Sequence, residues 1–146
     1  MLRLTKKVEY SLIALRHIAL TDGVTTAKDI AERFQIPREL LAKILQKMTR
    51  AGIIRSIQGP KGGYVLESSL QDLSLSELIR IIEGGYEFVE CASGRKDECL
   101  LMDNCIIRSP LLRVNKEIQR FLTTISVADV IRGKITGAET FSAQNQ

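Results

Sequence analysis

Three cysteines, Cys91, Cys99 and Cys105, are all the cysteine the chain has, and they fall within fifteen residues of one another. The stretch that carries them, Gly84 to Cys105, is polar, acidic and glycine-containing. A buried structural thiol behaves as a small hydrophobe among apolar neighbours, so a cluster in a polar loop points to metal or redox chemistry. Several forms of that chemistry are open. Structural zinc usually takes two short C-x2-C pairs, and none is present. A disulfide would leave one cysteine over, and nothing indicates an oxidising compartment. Arg95 and Lys96 would favour a neighbouring thiolate, which gives a thiol switch. An iron–sulfur cluster suits three soft thiolates plus one oxygen or nitrogen donor.

Positioning such a loop requires a fold around it. The chain has 146 residues, 45% of them hydrophobic, enough for a real core in one domain or in two small units sharing one. The N-terminal stretch Met-Leu-Arg is followed by charges, and Leu12 to Leu20 is broken by Arg16 and His17. The expectation is therefore no signal peptide, no membrane span and a cytoplasmic location. Net charge is +4, unevenly divided. Residues 1–67 hold 12 Lys or Arg against 6 Asp or Glu, and residues 68–146 hold 9 against 11. The first half is a candidate polyanion-binding unit.

The pattern predicts a shape able to use that charge. Leu12, Leu15, Ile18 and Ala19 recur at helical spacing, so Thr5 to Thr21 reads as an amphipathic helix. Thr26 caps a second helix with Asp29 as its capping-box partner, and Ala27, Ile30, Ala31 and Phe34 face inward. Gln35-Ile36-Pro37 makes a tight connection, and Pro37 starts a third helix that stops at Gly52. Leu40, Leu41, Ile44, Leu45 and Met48 form its apolar stripe. Two short helices with a tight turn and an outward basic face match a helix-turn-helix. Ile53 to Ile57, Gly59-Pro60-Lys61-Gly62-Gly63 and Tyr64-Val65-Leu66 read as a hairpin, which makes the unit a winged helix. The fold class is thus mainly α with a small β wing, followed by a long helix.

Beyond the wing, Ser74 caps a short helix with Leu75, Leu78, Ile79 and Ile82 inward, ending at Gly84-Gly85. After the cysteines, Ser109-Pro110 reads as N-cap and first residue of the long helix. Its residues Leu111, Val114, Ile118, Phe121 and Ile125 step by 3, 4, 3 and 4, a heptad seam expected to form a dimer interface. Ser126 starts a last short helix, and Thr136 to Gln146 lacks periodicity and reads as disordered. The expected division is a DNA-binding domain over 1–83, a cysteine loop over 84–105, a dimerisation segment over 106–132 and a tail from 133.

Arg3-Leu4-Thr5-Lys6, the wing Gly59-Pro60-Lys61-Gly62-Gly63-Tyr64 and the three-cysteine loop before a long helix together resemble the Rrf-two family of bacterial regulators. That family includes an iron–sulfur cluster regulator, a nitric-oxide-sensitive repressor and a rhizobial iron regulator. The resemblance covers residues 1–132. It implies a homodimeric winged-helix transcription regulator in which Cys91, Cys99 and Cys105 hold a 2Fe-2S or 4Fe-4S cluster. The cluster regulator has a histidine three residues after its last cysteine, where this chain has Arg108, and a protonated guanidinium cannot be a ligand. The nitric-oxide-sensitive type uses an acidic residue of helix one from the other subunit, and Glu9 matches it as the candidate fourth ligand. His17, the one histidine, is assigned a packing role.

On double-stranded DNA, Arg38, Glu39 and Lys43 are the candidates for base edges. Thr5, Lys6, Thr26, Lys28, Lys47 and Arg50 are the candidates for phosphates. By resemblance the wing enters the minor groove. Many relatives have an arginine before its Gly-Pro, where this chain has Gln58, so Lys61 or Arg55 must supply the charge. No acid-base pair beside a nucleophile and no phosphate-binding loop is present, so neither enzymatic activity nor a small-molecule substrate is expected.

Overall fold

The computed structural model describes residues 3–94, 99–101 and 103–135. Helix α1 spans Lys6–Leu20, α2 Ala27–Phe34, α3 Arg38–Arg50, α4 Leu75–Glu83, α5 Arg108–Thr124 and α6 Val127–Arg132, with strands β1 Ile54–Ile57 and β2 Gly63–Leu66. The tail from Thr136, together with Arg95 and Lys96, lies outside the described residues. Among the described residues no helix is long and apolar enough to cross a membrane.

Local chemistry sets most of the helix starts. Thr5, Thr26, Ser74 and Ser126 each stand in extended backbone and accept a hydrogen bond from an amide three residues on, which satisfies one of the donors a helix N-terminus leaves free. At Thr26 the box is complete, because Asp29 also accepts from the Thr26 amide. Two starts differ from expectation. Pro37 is the N-cap of α3 and Arg38 its first residue. Helix α5 begins at Arg108 with Ile107 as its cap, so Pro110 falls in the first turn and Ser109 is not the cap. Proline is tolerated there because first-turn amides have no intrahelical partner in any case.

The core forms where α1, α3 and α4 meet. Leu15, Leu41, Ile44, Leu45, Met48, Leu78 and Ile82 are all but inaccessible, and burying each such side chain contributes about 1.5–3 kcal/mol. Val8, Ser11 and Ala14 of α1 share this face, whereas Ala19 is exposed. The inward arc of α1 is rotated toward Ser11 and Ala14, away from Leu12 and Ala19.

The hairpin pairs antiparallel with Ile54 opposite Leu66 and Ile57 opposite Gly63. A further bridge joins Tyr64 to Thr25, just before α2. It fixes the wing to the helix-turn-helix. Helix α5 packs against α4, and the chain then returns to the domain. The Leu75 amide donates to the Ile125 carbonyl at 2.8 Å and the Val127 amide to Leu73 at 2.8 Å. Ile125 is consequently 7% exposed and part of the subunit's own core, which removes it from the expected dimer seam.

Candidate nucleic-acid interface and cysteine segment

Helices α2 and α3 are joined through Gln35, whose left-handed backbone (φ 53°) turns the chain sharply. On α3, Glu39, Lys43, Gln46 and Arg50 follow one another at three- and four-residue steps, and all are exposed. Arg38 is exposed as well, but its guanidinium donates to Glu32 at 3.2 Å. The Lys28 ammonium lies 3.9 Å from the same carboxylate. Glu32 thus holds two of the predicted DNA-contacting cations. Sequence reasoning missed it, although its i,i+4 spacing from Lys28 is a readable signal.

The other candidates divide by what they already touch. Lys61 stands exposed at the wing tip. Arg55, at the wing's base, donates to Glu67 at 2.7 Å. The Thr26 hydroxyl is committed to its cap. The Thr5 hydroxyl donates to the Glu83 carboxylate, which also receives Lys7 at 3.7 Å and so ties α1 to α4. Lys47 is exposed and already has a partner within the chain. Its ammonium donates to the Ile82 carbonyl at 2.5 Å, drawn to the negative end of α4. His17 packs edge-on against Phe34 with ring centroids 5.5 Å apart, the role expected for it.

Cys91 sits in a short 3-10 helix, Glu90–Ala92, on the stretch leading from α4 to α5. Cys105 lies three residues before the start of α5. All three thiols are free and half-buried. Glu9, in the first turn of α1, accepts from the Lys6 ammonium at 2.5 Å, and that hydrogen bond with Glu9 raises the Lys6 pKa. Among the described residues no three His, Cys, Asp or Glu side chains stand together as a metal site.

The donor set nevertheless fits a soft-metal group in its chemistry. Three cysteines, none paired in a disulfide, offer soft sulfur ligands. The Nε of Arg108 is buried without a hydrogen-bond partner, and Arg108 lines the same cleft as Cys105. A buried N–H without an acceptor is the kind of group that donates to a thiolate or sulfide.

One face of α5 is covered and another is not. Asn115 is buried and Ile118 and Leu122 are half-buried, while Val114 is 51% and Phe121 39% exposed. Val114, Ile118 and Phe121 line an apolar groove of about 700 Å³.

Comparison with known proteins agrees with this architecture. The chain is 29% identical over 126 residues to the HTH-type transcriptional regulator NsrR of Bacillus licheniformis, covering 85% of this chain and 86% of that protein. The T. potens IscR structure superposes with a TM-score of 0.67 at 25% identity, covering 90% of this chain and 88% of that one. CymR, the global cysteine regulator of B. subtilis, has the same fold, with a TM-score of 0.70 at 24% identity and coverage of 92% and 99%. The Rrf2 family model, described as an iron-dependent transcriptional regulator, matches residues 4–133. The chain belongs to the Rrf2 family of winged-helix transcription regulators and is a DNA-binding regulator, not an enzyme.

Proposed function

We propose that this regulator is a homodimer whose operator affinity is set by an iron–sulfur cluster, 2Fe-2S or 4Fe-4S, held by Cys91, Cys99 and Cys105 with Glu9 from the second copy as fourth ligand. The observation that carries the reading is the placement of three free thiols on the one segment that joins α4 to α5. The iron dependence in the family's description supports iron over zinc. When bound, the cluster supplies ligand loss and one-electron chemistry that report iron supply, cluster status, nitric oxide or redox stress.

The chain's own residues supply the rest. Residues 1–83 read DNA, with Glu39, Lys43 and Arg38 toward base edges and Arg50, Lys28 and Lys61 toward phosphates. Val114, Ile118 and Phe121 of α5 meet the same residues of the second copy. Glu9 lies on α1, which the Thr5 and Lys7 contacts to Glu83 bind to α4. A ligand given across the dimer therefore links the cysteine segment of one copy to the reading head of the other. Two recognition helices must meet groove faces about 34 Å apart, so a small tilt weakens both half-sites.

The test is the visible spectrum, iron and sulfide content and operator affinity of protein purified without oxygen, beside Cys99→Ala. Charge-transfer bands with stoichiometric sulfide, lost in the variant, and different operator affinities of loaded and apo protein are expected. A colourless protein that cannot be reconstituted would leave a thiol- or zinc-responsive regulator. Neutralising about eight phosphates gives a slope of log K against log salt of about −7, and a slope near zero would remove the DNA reading.

A further inference from the structure

The segment that leads to Cys91 is held to α5 by one buried amide. Asn115 is 4% exposed, on a helix whose other residues are partly or fully open. Its Oδ1 accepts the Phe88 amide at 2.8 Å and its Nδ2 donates to the Glu87 carboxylate at 2.6 Å. The orientation is unambiguous, because a backbone N–H can only donate and a carboxylate can only accept. One turn on, the Gln119 amide donates to the Tyr86 carbonyl and to the same Glu87 carboxylate, both at 3.1 Å. The far side of this segment is tied to α4, where the Tyr86 hydroxyl and the buried Ser76 hydroxyl are 2.7 Å apart. Three consecutive residues are thus clamped between two helices, and Cys91 follows three residues after Phe88.

We propose that Asn115 is the positioning residue for Cys91: by clamping Glu87 and Phe88 to α5 it fixes where the first thiol stands relative to the dimerisation helix. The inference deepens the cluster reading and rests on it for the word ligand, but the clamp itself is a property of the apo protein. A buried asparagine on a helix is costly unless its hydrogen bonds are made. An apolar residue would pack the same α4–α5 contact without holding the segment. The amide's specific contribution is to anchor backbone that has no strand or helix of its own.

The experiment uses the full-length apo dimer. Asn115→Ala and, as a gentler change at a less buried position, Gln119→Ala are compared with wild type for Phe88 amide exchange and for alkylation rates of Cys91 and Cys99. Expected for Asn115→Ala is a rise of about 10-fold in Phe88 exchange and in Cys91 alkylation, the scale of one lost hydrogen bond, with Cys99 within two-fold. Gln119→Ala should give a smaller rise of the same pattern. Reconstituted Asn115→Ala should then lose iron to a chelator faster than wild type. Unchanged Phe88 exchange and Cys91 reactivity in a folded Asn115→Ala would overturn the proposal. So would an equal rise at Cys91 and Cys99 with no selective rise in Gln119→Ala, which would mark general loosening. If wild type loads no cluster while the selective Cys91 response stands, the cluster reading fails and the clamp is upheld.

Discussion

The Lys47 ammonium donates to the Ile82 carbonyl across 2.5 Å, and this contact joins the recognition helix to the end of α4. On sequence grounds Lys47 is one of the candidate phosphate contacts. The carbonyls of the last turn of α4 have no intrahelical donors and carry the negative end of the helix dipole. A flexible four-carbon stem lets the exposed lysine reach them from the surface of α3.

Lys43 and Lys47 should therefore part company under substitution. Lys47→Met is expected to cost about 1–2 kcal/mol of stability, the range for a hydrogen bond to a charged group, and to leave the salt dependence of DNA binding nearly unchanged. Lys43→Ala should leave stability within about 0.5 kcal/mol, as for an exposed site. If Lys43 meets a phosphate, the salt slope falls in magnitude by about 1. If it reads a base edge, the loss falls on one operator position. Urea midpoints and salt titrations of both variants separate the roles.

The wing glycines should differ as sharply. A Cβ on Gly63 would stand 2.4 Å from the Thr25 carbonyl oxygen, part of the bridge that fixes the wing, whereas a Cβ on Gly59 meets nothing within 4 Å. Gly59→Ala bears only the strain of its positive φ, about 1 kcal/mol. Gly63→Ala should cost more than twice that and loosen the Thr25–Tyr64 pairing, measurable as faster exchange of the Tyr64 amide, which donates to Thr25.

Helix α5 offers a test of the dimer. Val114→Asp and Phe121→Asp change exposed groove residues, so they should yield folded monomers by sedimentation with much weaker operator binding. Ile125→Asp would bury a charge in the subunit's own core and should unfold the chain instead. Dimers that persist in both groove variants would rule out this face.

The Thr26 capping box gives a pH signature. Hydrogen bonds from the Thr26 side chain and amide, the largest influences, lower the Asp29 pKa. A depressed folded pKa means that the contribution is present above the ordinary carboxylate range and is lost as pH falls through the folded value. The stability difference between wild type and Asp29→Asn should shrink steadily from pH 5 to acid, as followed by urea midpoints.

The capped helices, the turn at Gln35 and the two-stranded wing were all legible in sequence because each depends on residues within a few positions of one another. Thr26 with Asp29 is a complete instruction read over four residues. The heptad stepping of Leu111 to Ile125 was also real as a pattern. It did not tell which stripe residues a single subunit would claim, because α5 carries two apolar faces that share Ile118.

The partners of the charged residues were less legible. Arg38 and Lys28 read as free cations until Glu32 is placed between them, and Arg55 until Glu67 arrives across the hairpin. Asn115 gave no sequence signal at all, since a polar residue on an amphipathic helix ordinarily faces water.

By itself, then, the sequence determined the elements, the caps at Thr26, Ser74 and Ser126, the basic first half and the three thiols, because periodicity, capping and composition are local properties of the chain. The tertiary structure alone decided that Lys47 reaches the Ile82 carbonyl, that Ile125 belongs to the core and that Asn115 holds the path to Cys91. Each of those outcomes depends on a backbone group or carboxylate at least ten residues away. Only folding brings such groups within hydrogen-bonding or packing distance.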